Sequence, residues 1–467
     1  MKKFDLVVIG SGPGGYRAAV VAALRGLNVA IIEKAAWGGC CLNRGCVPKK
    51  DWYRSARLIA ASGGFGQRGI RGELSGDLDC AWQHQRDAVA RIRASYRDYL
   101  KRLGVTAVGG AARFIDSRTL AVDGAPLTGA HVIIATGAEP YVPANLPRIP
   151  RRVLTTDDLF AAPPPAGKRV AIIGSGVVAT EFAFILAMFG LEVLWLAQRE
   201  PLAGRGFSAT ARKTLYARFA DFGIRVRTAS RAQSLNATDH GVLVILPDGT
   251  REQVDWVLLG AGRTPHTATL ELANAGVAVD TRGFIVVDRS QQTSQPHIYA
   301  IGDVANPAMT SNHALAEAGI AVANLIEPRC CASDPDAVPE VVYSALELAR
   351  IGVDEERAEA LGYEPATGFT AFATSPAAMV DDDAAGFVRI VSAADTGKLL
   401  GAEIAGSAAG ELIHLLGIEF GAPQALQRLA AMPYNHPARA EEIRNAVETL
   451  AARWGLAERV FMATTER

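Results

Sequence analysis

The densest chemistry in the chain lies in one segment, Gly38-Gly39-Cys40-Cys41-Leu42-Asn43-Arg44-Gly45-Cys46-Val47-Pro48-Lys49-Lys50. Cys41 and Cys46 stand five residues apart, which on a regular helix is a rise of about 7.5 Å. A disulfide needs Cα atoms roughly 4.4–6.8 Å apart. The pair therefore closes only if the first helical turn is distorted, and Gly45 supplies the freedom. Pro48 suits an early helical turn, so Cys46 falls where a thiolate gains from the helix dipole. A strained or exposed disulfide is the labile kind that exchanges. The reading is a redox-active pair, with two unlinked core cysteines as the plain alternative.

Such a pair needs elements to hold it and an electron acceptor beside it. Phe4–Glu33 reads strand, glycine turn, alanine-rich helix, strand, and Arg169–Ala197 repeats the pattern. Apolar strands flanking a helix make a βαβ unit on a parallel sheet. Two copies predict two dinucleotide-type domains. In the first, Gly10-Ser11-Gly12-Pro13-Gly14-Gly15 satisfies G-x-G-x-x-G between strand and helix. Gly10 allows the tight turn, Gly12 lets backbone amides approach a pyrophosphate, and Gly15 lets helix pack on strand. Glu33, 23 residues after Gly10, ends the next strand where a carboxylate accepts from a ribose hydroxyl.

The second turn, Gly174-Ser175-Gly176-Val177-Val178-Ala179, has no acid at the matching place, which is Ala197; Arg199 and Arg205 follow instead. Arginines hold a 2′-phosphate that a carboxylate would repel. This favours NADPH, or relaxed use of NADPH and NADH. The alternative leaves both arginines solvated and gives the ribose to Glu200.

Composition narrows the class. Among 467 residues, Lys+Arg and Asp+Glu are equal at 48 each, which argues against nucleic acid or an anionic membrane as partner. Six cysteines are too few for a stapled secreted scaffold. The opening MKKFDLVVIG reads as a strand rather than a leader, and no long apolar run suggests a membrane span, so a cytoplasmic protein is expected. No Cys/His cluster has metal-ligand spacing. Pro163–Gly167 reads as a linker before the second unit. From about residue 336 strand-rich and helical patterns suggest a third, α+β domain. The expected division is 1–150 with 270–335, then 151–269, then 336–467.

The segment G-G-x-C-L-N-x-G-C-x-P-x-K resembles the active-site signature of the flavin-dependent pyridine nucleotide-disulfide oxidoreductases, which include dihydrolipoamide dehydrogenase and glutathione reductase. Tyr299-Ala300-Ile301-Gly302-Asp303, Ala135-Thr136-Gly137, Gly262-Arg263-Thr264-Pro265 and His436-Pro437 with Glu441 match further family motifs, so the resemblance covers nearly the whole chain. It implies an α/β fold of two Rossmann-type domains and a C-terminal α+β dimerisation domain. It implies FAD held by the first turn, Ala112, Thr136, Gly137, Gly302 and Asp303, with Asp303 on the ribityl chain. It places NADP or NAD at the second turn, with Gly262 and Arg263 beside the nicotinamide dinucleotide. Cys41 becomes the interchange thiol and Cys46 the thiolate against the flavin. His436, reaching in from a second subunit, becomes the acid/base, oriented by Glu441. Lys50, four after Cys46, is expected near the flavin with Glu181 as its ion-pair partner.

Within the family, GCVPKK resembles glutathione reductase, whereas Gly12-Pro13-Gly14-Gly15-Tyr16 resembles dihydrolipoamide dehydrogenase. Val20 stands where glutathione reductases carry an arginine for glutathione carboxylates, and an apolar entry suits a lipoyl arm. No cysteine pair accompanies the terminal MATTER, unlike mercuric reductase. The resemblance therefore points to a dihydrolipoamide dehydrogenase-like homodimer acting on a lipoyl group on a carrier protein or on a small disulfide. An NADPH-dependent glutathione-type reductase and a non-catalytic flavin redox sensor are the alternatives. Arg44, Cys40 and Asp51-Trp52-Tyr53 depart from the family pattern. Trp52 and Tyr53 are read as core rather than channel, Cys80 as a small buried hydrophobe, and the adjacent Cys330 and Cys331 as free thiols.

Overall fold

The structure, a computed structural model, describes residues 3–461. The terminal MATTER sequence lies outside them.

The first sheet is parallel at its centre. Its order is Thr106–Gly109, Val29–Glu33, Lys3–Ile9 and Ala125–Ile134, with Ile298–Ala300 pairing alongside Ala125–Ile134. The late strand returns Gly302 and Asp303 to the mouth of the first glycine turn, 290 residues on from Gly12 for Gly302. Antiparallel strands Thr119–Val122 and Ala112–Phe114 extend the same sheet. The helix after the turn, Pro13–Leu24, starts with proline at its first position and buries an alanine face. At Gly15 a Cβ would sit 1.9 Å from the Gly10 carbonyl oxygen, so only glycine lets this helix lie so close to its strand.

The second sheet is wholly parallel, ordered Arg225–Arg227, Glu192–Leu196, Arg169–Ile173, Trp256–Leu259 and Val153–Leu154. Helix Val177–Met188 follows its glycine turn and is buried along nearly its whole length. The third sheet is antiparallel, ordered Glu340–Tyr343, Glu347–Gly352, Leu399–Ala405, Phe387–Ala393 and Pro365–Ala371. Helices Ala409–Glu419 and Glu441–Arg453 pack on it. This is the expected α/β plus α+β architecture. Among the described residues no helix is long and apolar enough to cross a membrane.

One apolar core joins the parts. Trp52 from the thiol helix, Phe182 and Phe184 from helix Val177–Met188, Trp195 and Trp256 from the second sheet, and Val342 and Leu348 from the third share it. Trp52 and Tyr53 are thus core, as read from the sequence.

Pro163–Gly167 lies in the connection between helix Thr156–Ala161 and strand Arg169–Ile173, just before the second βαβ unit. Strand Val153–Leu154 pairs with Trp256–Leu259. Two expectations need correction. Cys80 is exposed, because it sits in the first turn of helix Leu78–Arg102 with its backbone N–H capped by Asp77. Val20 does not line an entry; it packs in the core with Ile31, Tyr299 and Val322.

Candidate active site

Glycine decides the local geometry at the thiols. The short helix Gly39–Arg44 stops at Gly45, and a second helix, Cys46–Ser62, starts with Cys46 at its first position. A Cβ at Gly45 would lie 3.2 Å from both the Cys40 carbonyl oxygen and the Cys41 Cα, tighter than side chains normally pack. The break brings Cys41 and Cys46 within hydrogen-bond reach of one another, both as thiols in this structure. Asn43 fastens the turn by donating from Nδ2 to the Gly39 and Trp37 carbonyls at 2.7 and 3.0 Å. Arg93 donates to Asn43 Oδ1 at 3.0 Å.

The two sulfurs are electrically unequal. Cys46 is lowered to about 6, first because Cys41 donates a hydrogen bond to it, then through Ser311 and the positive charge of Lys49. Ser311 Oγ lies 3.2 Å from Cys46 Sγ. Cys41 is pushed well up, because it donates to Cys46 and because it is buried. Cys46 is thus the thiolate and Cys41 holds the proton. Cys46 is exposed, and it opens onto a cavity.

That cavity, about 940 Å³, runs from one glycine turn to the other. Gly10, Gly12, Glu33, Ala112, Thr136, Gly137, Gly302 and Asp303 line one end, and Gly176, Arg205 and Gly262 the other; Cys41, Cys46, Lys49, Lys50 and Glu181 lie between. Gly15 and Gly174 are structural neighbours of this wall rather than part of it. Glu33 accepts from the Ser11 amide at 3.0 Å and from the Ala35 amide at 2.9 Å, which aims its carboxylate at the first turn. Burial raises the Asp303 carboxyl, while Arg263, 3.9 Å away, draws it back. The Asp303 backbone amide also donates to the carboxylate, which lines the cavity. A shallow glycine loop, a carboxylate for a ribose and a cavity-lining acceptor for polyol hydroxyls fit FAD.

Several residues sit elsewhere than expected. Lys49, not Lys50, pairs with Glu181: its Nζ donates to Oε1 at 2.7 Å, with Glu181 buried and Lys49 mostly so. Glu181 also accepts from the Tyr343 amide at 3.0 Å. Lys50 Nζ instead lies 3.1 Å from the centroid of the Tyr343 ring, and burial lowers its ammonium pKa. Arg263, expected beside the nicotinamide dinucleotide, turns to the other end. It donates to the Ala138 carbonyl and to Cys40 Sγ, the latter at 3.4 Å. Arg205 reaches the cavity and donates to the Ala308 carbonyl at 3.1 Å. Arg199 is exposed, outside the cavity, and Glu200 is engaged by Arg212 at 3.2 Å.

His436 and Glu441 come together but not at the thiols. His436 Nδ1 lies 3.1 Å from both Glu441 oxygens. A carboxylate only accepts, so Nδ1 carries the proton and Nε2 is left free. Glu441 is held low by the Ala438 amide and then by His436. The His436–Pro437 peptide bond is cis. The His436 side chain is 70% exposed and does not line the cavity of its own chain. Ser311, Lys49 and Arg93 were missed in the sequence. Only Lys49 had a signal there, its place in GCVPKK.

A cavity joining two dinucleotide turns across a thiol pair defines a pyridine nucleotide-linked disulfide oxidoreductase. The chain belongs to that family: residues 4–319 match the pyridine nucleotide-disulphide oxidoreductase model and residues 338–447 its dimerisation domain. A dihydrolipoyl dehydrogenase of Thermus scotoductus is 35% identical over 96% of this chain and 98% of its own. One of Haloferax volcanii is 32% identical, covering 95% of each. Among solved structures, LpdA from Mycobacterium tuberculosis superposes with a TM-score of 0.89 at 25% identity, over 96% of this chain and 99% of its own. The HOCl-induced flavoprotein disulfide reductase RclA from Escherichia coli gives 0.83 at 26% in its Cu(II) complex, over 96% and 99%. The chain is an FAD-dependent disulfide oxidoreductase that uses a nicotinamide dinucleotide.

Proposed function

We propose that the chain is a dihydrolipoyl dehydrogenase-like homodimer. It passes electrons between a lipoyl dithiol and NAD(P) through a Cys41–Cys46 disulfide. The observation that carries this is the unequal sulfur pair at the waist of the cavity. FAD, when bound, supplies the two-electron exchange between the thiols and the nicotinamide.

The chain's own residues supply the rest. In the oxidised enzyme a dihydrolipoyl thiolate attacks Cys41, and the Cys41–Cys46 bond breaks to leave Cys46 as thiolate. That thiolate is the better leaving group because Ser311, Lys49 and the helix N-terminus stabilise it. The second lipoyl thiol attacks the lipoyl sulfur of the mixed disulfide. The lipoyl ring closes and Cys41 departs with a proton. His436 of the other subunit accepts and returns the protons at Nε2, held by Glu441 at Nδ1. Electrons and protons balance: the lipoyl dithiol becomes a disulfide, its electron pair reduces the Cys41–Cys46 bond, and of its two protons one goes to the Cys41 thiol and one stays on His436, with Cys46 left as thiolate. The reverse direction uses the same groups.

This reading divides the chain into residues 1–150 with 270–335 for FAD, 151–269 for the nucleotide, and 336–467 for dimerisation. Arg205 in the cavity favours NADP, with Arg199 at most an outer charge. A steady-state panel tests the reading. Dihydrolipoamide, a lipoylated carrier and glutathione disulfide are each assayed with NAD(H) and NADP(H). Turnover with the lipoyl compounds is expected. Turnover with glutathione disulfide alone selects the glutathione-type alternative, and no turnover with any of them selects a sensor. Dilution to monomers should abolish turnover while FAD stays bound, since His436 cannot reach its own chain's thiols.

A further inference from the structure

Three aspartates in a row, Asp381, Asp382 and Asp383, follow the short helix Pro376–Val380. A run of like charges is ordinarily a solvated loop. Here each carboxylate meets an arginine from another part of the chain. Arg439 donates from Nε and Nη2 to Asp381 Oδ2 at 3.3 and 3.2 Å, and from Nη2 to the Asp383 carbonyl at 2.9 Å. Asp383 Oδ2 is 3.7 Å from Arg439 and 3.7 Å from Arg57. Arg57 also donates to Ser407 Oγ at 2.6 Å, and Ser407 in turn donates to Asp383. Arg68 reaches Asp382 at 3.0 Å.

The two arginines that share Asp383 belong to catalytic segments. Arg57 lies on the helix that opens at Cys46, and Arg439 falls between His436 and Glu441. Exposure separates the arms of the cluster. Asp381 is 58% exposed, so its contact contributes little, whereas Asp383 is 19% and Arg439 10% exposed. The Arg439 guanidinium also lies 5.3 Å from the centroid of the Phe372 ring. Glu441 fixes the rotation of the His436 ring and, by accepting from the Ala438 amide at 2.9 Å, holds the turn to helix Glu441–Arg453, with Arg444 3.4 Å from its carboxylate; Arg439 is the tie from the turn toward the Cys46 helix.

We propose that Arg439 is a positioning residue for His436: through Asp383 and Arg57 it fastens the turn carrying the histidine to the helix carrying Cys46. This rests on the proton-transfer role given above to His436. In the dimer that histidine serves the partner's thiols. The Arg57–Asp383–Arg439 bridge therefore runs, within one chain, from one site's sulfur helix to the other site's acid/base. A displacement of the turn of about 1 Å would cost up to about 100-fold in turnover.

The test uses FAD-loaded dimers of Arg439→Met, Arg439→Lys, Asp383→Asn and His436→Gln. Arg439→Met should lower kcat about 10- to 100-fold with the KM for dihydrolipoamide within about twofold. It should also displace the pH profile of kcat/KM. Asp383→Asn, nearly isosteric, should fall in the same direction by less, and Arg439→Lys should recover most of the rate. Anaerobic reduction by the nicotinamide dinucleotide, which needs no His436, should be unchanged in all of them. Loss of both half-reactions together, or loss of FAD, would show a merely structural role and overturn the proposal. Wild-type kcat and pH profile in Arg439→Met and Asp383→Asn, with His436→Gln inactive, would overturn it while leaving the function standing. Wild-type turnover in His436→Gln would instead remove the reading on which it rests.

Discussion

Lys49 and Glu181 are joined by a 2.7 Å charge-assisted hydrogen bond between the thiol helix and helix Val177–Met188. The side chains are 12% and 6% exposed, and loss of Lys49 would leave a buried carboxylate with the Tyr343 amide as its remaining donor. Lys49→Met should destabilise the fold by about 3–5 kcal/mol, whereas Lys50→Met should cost under about 1 kcal/mol. Chemical denaturation of the two variants measures this, and equal losses would contradict the pairing.

Cys46 titrates near 6 because Cys41 donates to it, with Ser311 and Lys49 assisting. In the reduced enzyme the thiolate is therefore present above about pH 6 and is protonated below it. Alkylation of Cys46 should follow a single sigmoid with that midpoint. Cys41→Ala removes the largest cause and should move the midpoint up toward an ordinary thiol. Rates followed against pH, with the labelled peptide identified, give the answer. A midpoint that stays put in Cys41→Ala would show that the two sulfurs do not interact.

Gly45→Ala places a methyl 3.2 Å from Cys41 Cα and the Cys40 carbonyl. The strain should cost about 1–3 kcal/mol. It should also push the two sulfurs apart, so disulfide formation on mild oxidation should slow. Stability and thiol loss are followed on the same samples. Unchanged oxidation in a destabilised protein would separate the helix break from the sulfur geometry.

His436→Gln should lower lipoyl turnover by about 10²–10⁴-fold while leaving FAD content and reduction by the nicotinamide dinucleotide intact. Stopped-flow measurement of each half-reaction checks both parts. A loss in the nucleotide half-reaction would move His436 out of the sulfur chemistry.

How much of this was legible in the sequence follows from how far apart the interacting residues lie. The Gly10 turn with Glu33, and Gly45 between two cysteines, are local, so type and spacing were enough. The three domain patterns appeared as changes of hydrophobic period. The lysine assignment failed because positions three and four after Cys46 share one helix face, and spacing alone does not choose between them. The contacts with Glu181, across 132 residues, decide it. Ser311 lies 265 residues from Cys46 and carries no motif. Cys80 follows a helical pattern, but the pattern does not say which side of the first turn meets solvent.

The central claim is tested most directly by counting labelled cysteines in the denatured holoenzyme, before and after anaerobic reduction by its nicotinamide dinucleotide. Of the six cysteines, the account predicts four labelled in the oxidised enzyme, with Cys41 and Cys46 appearing only after reduction. Labelling of Cys41 and Cys46 before reduction, or a new pair other than these two afterwards, would contradict it.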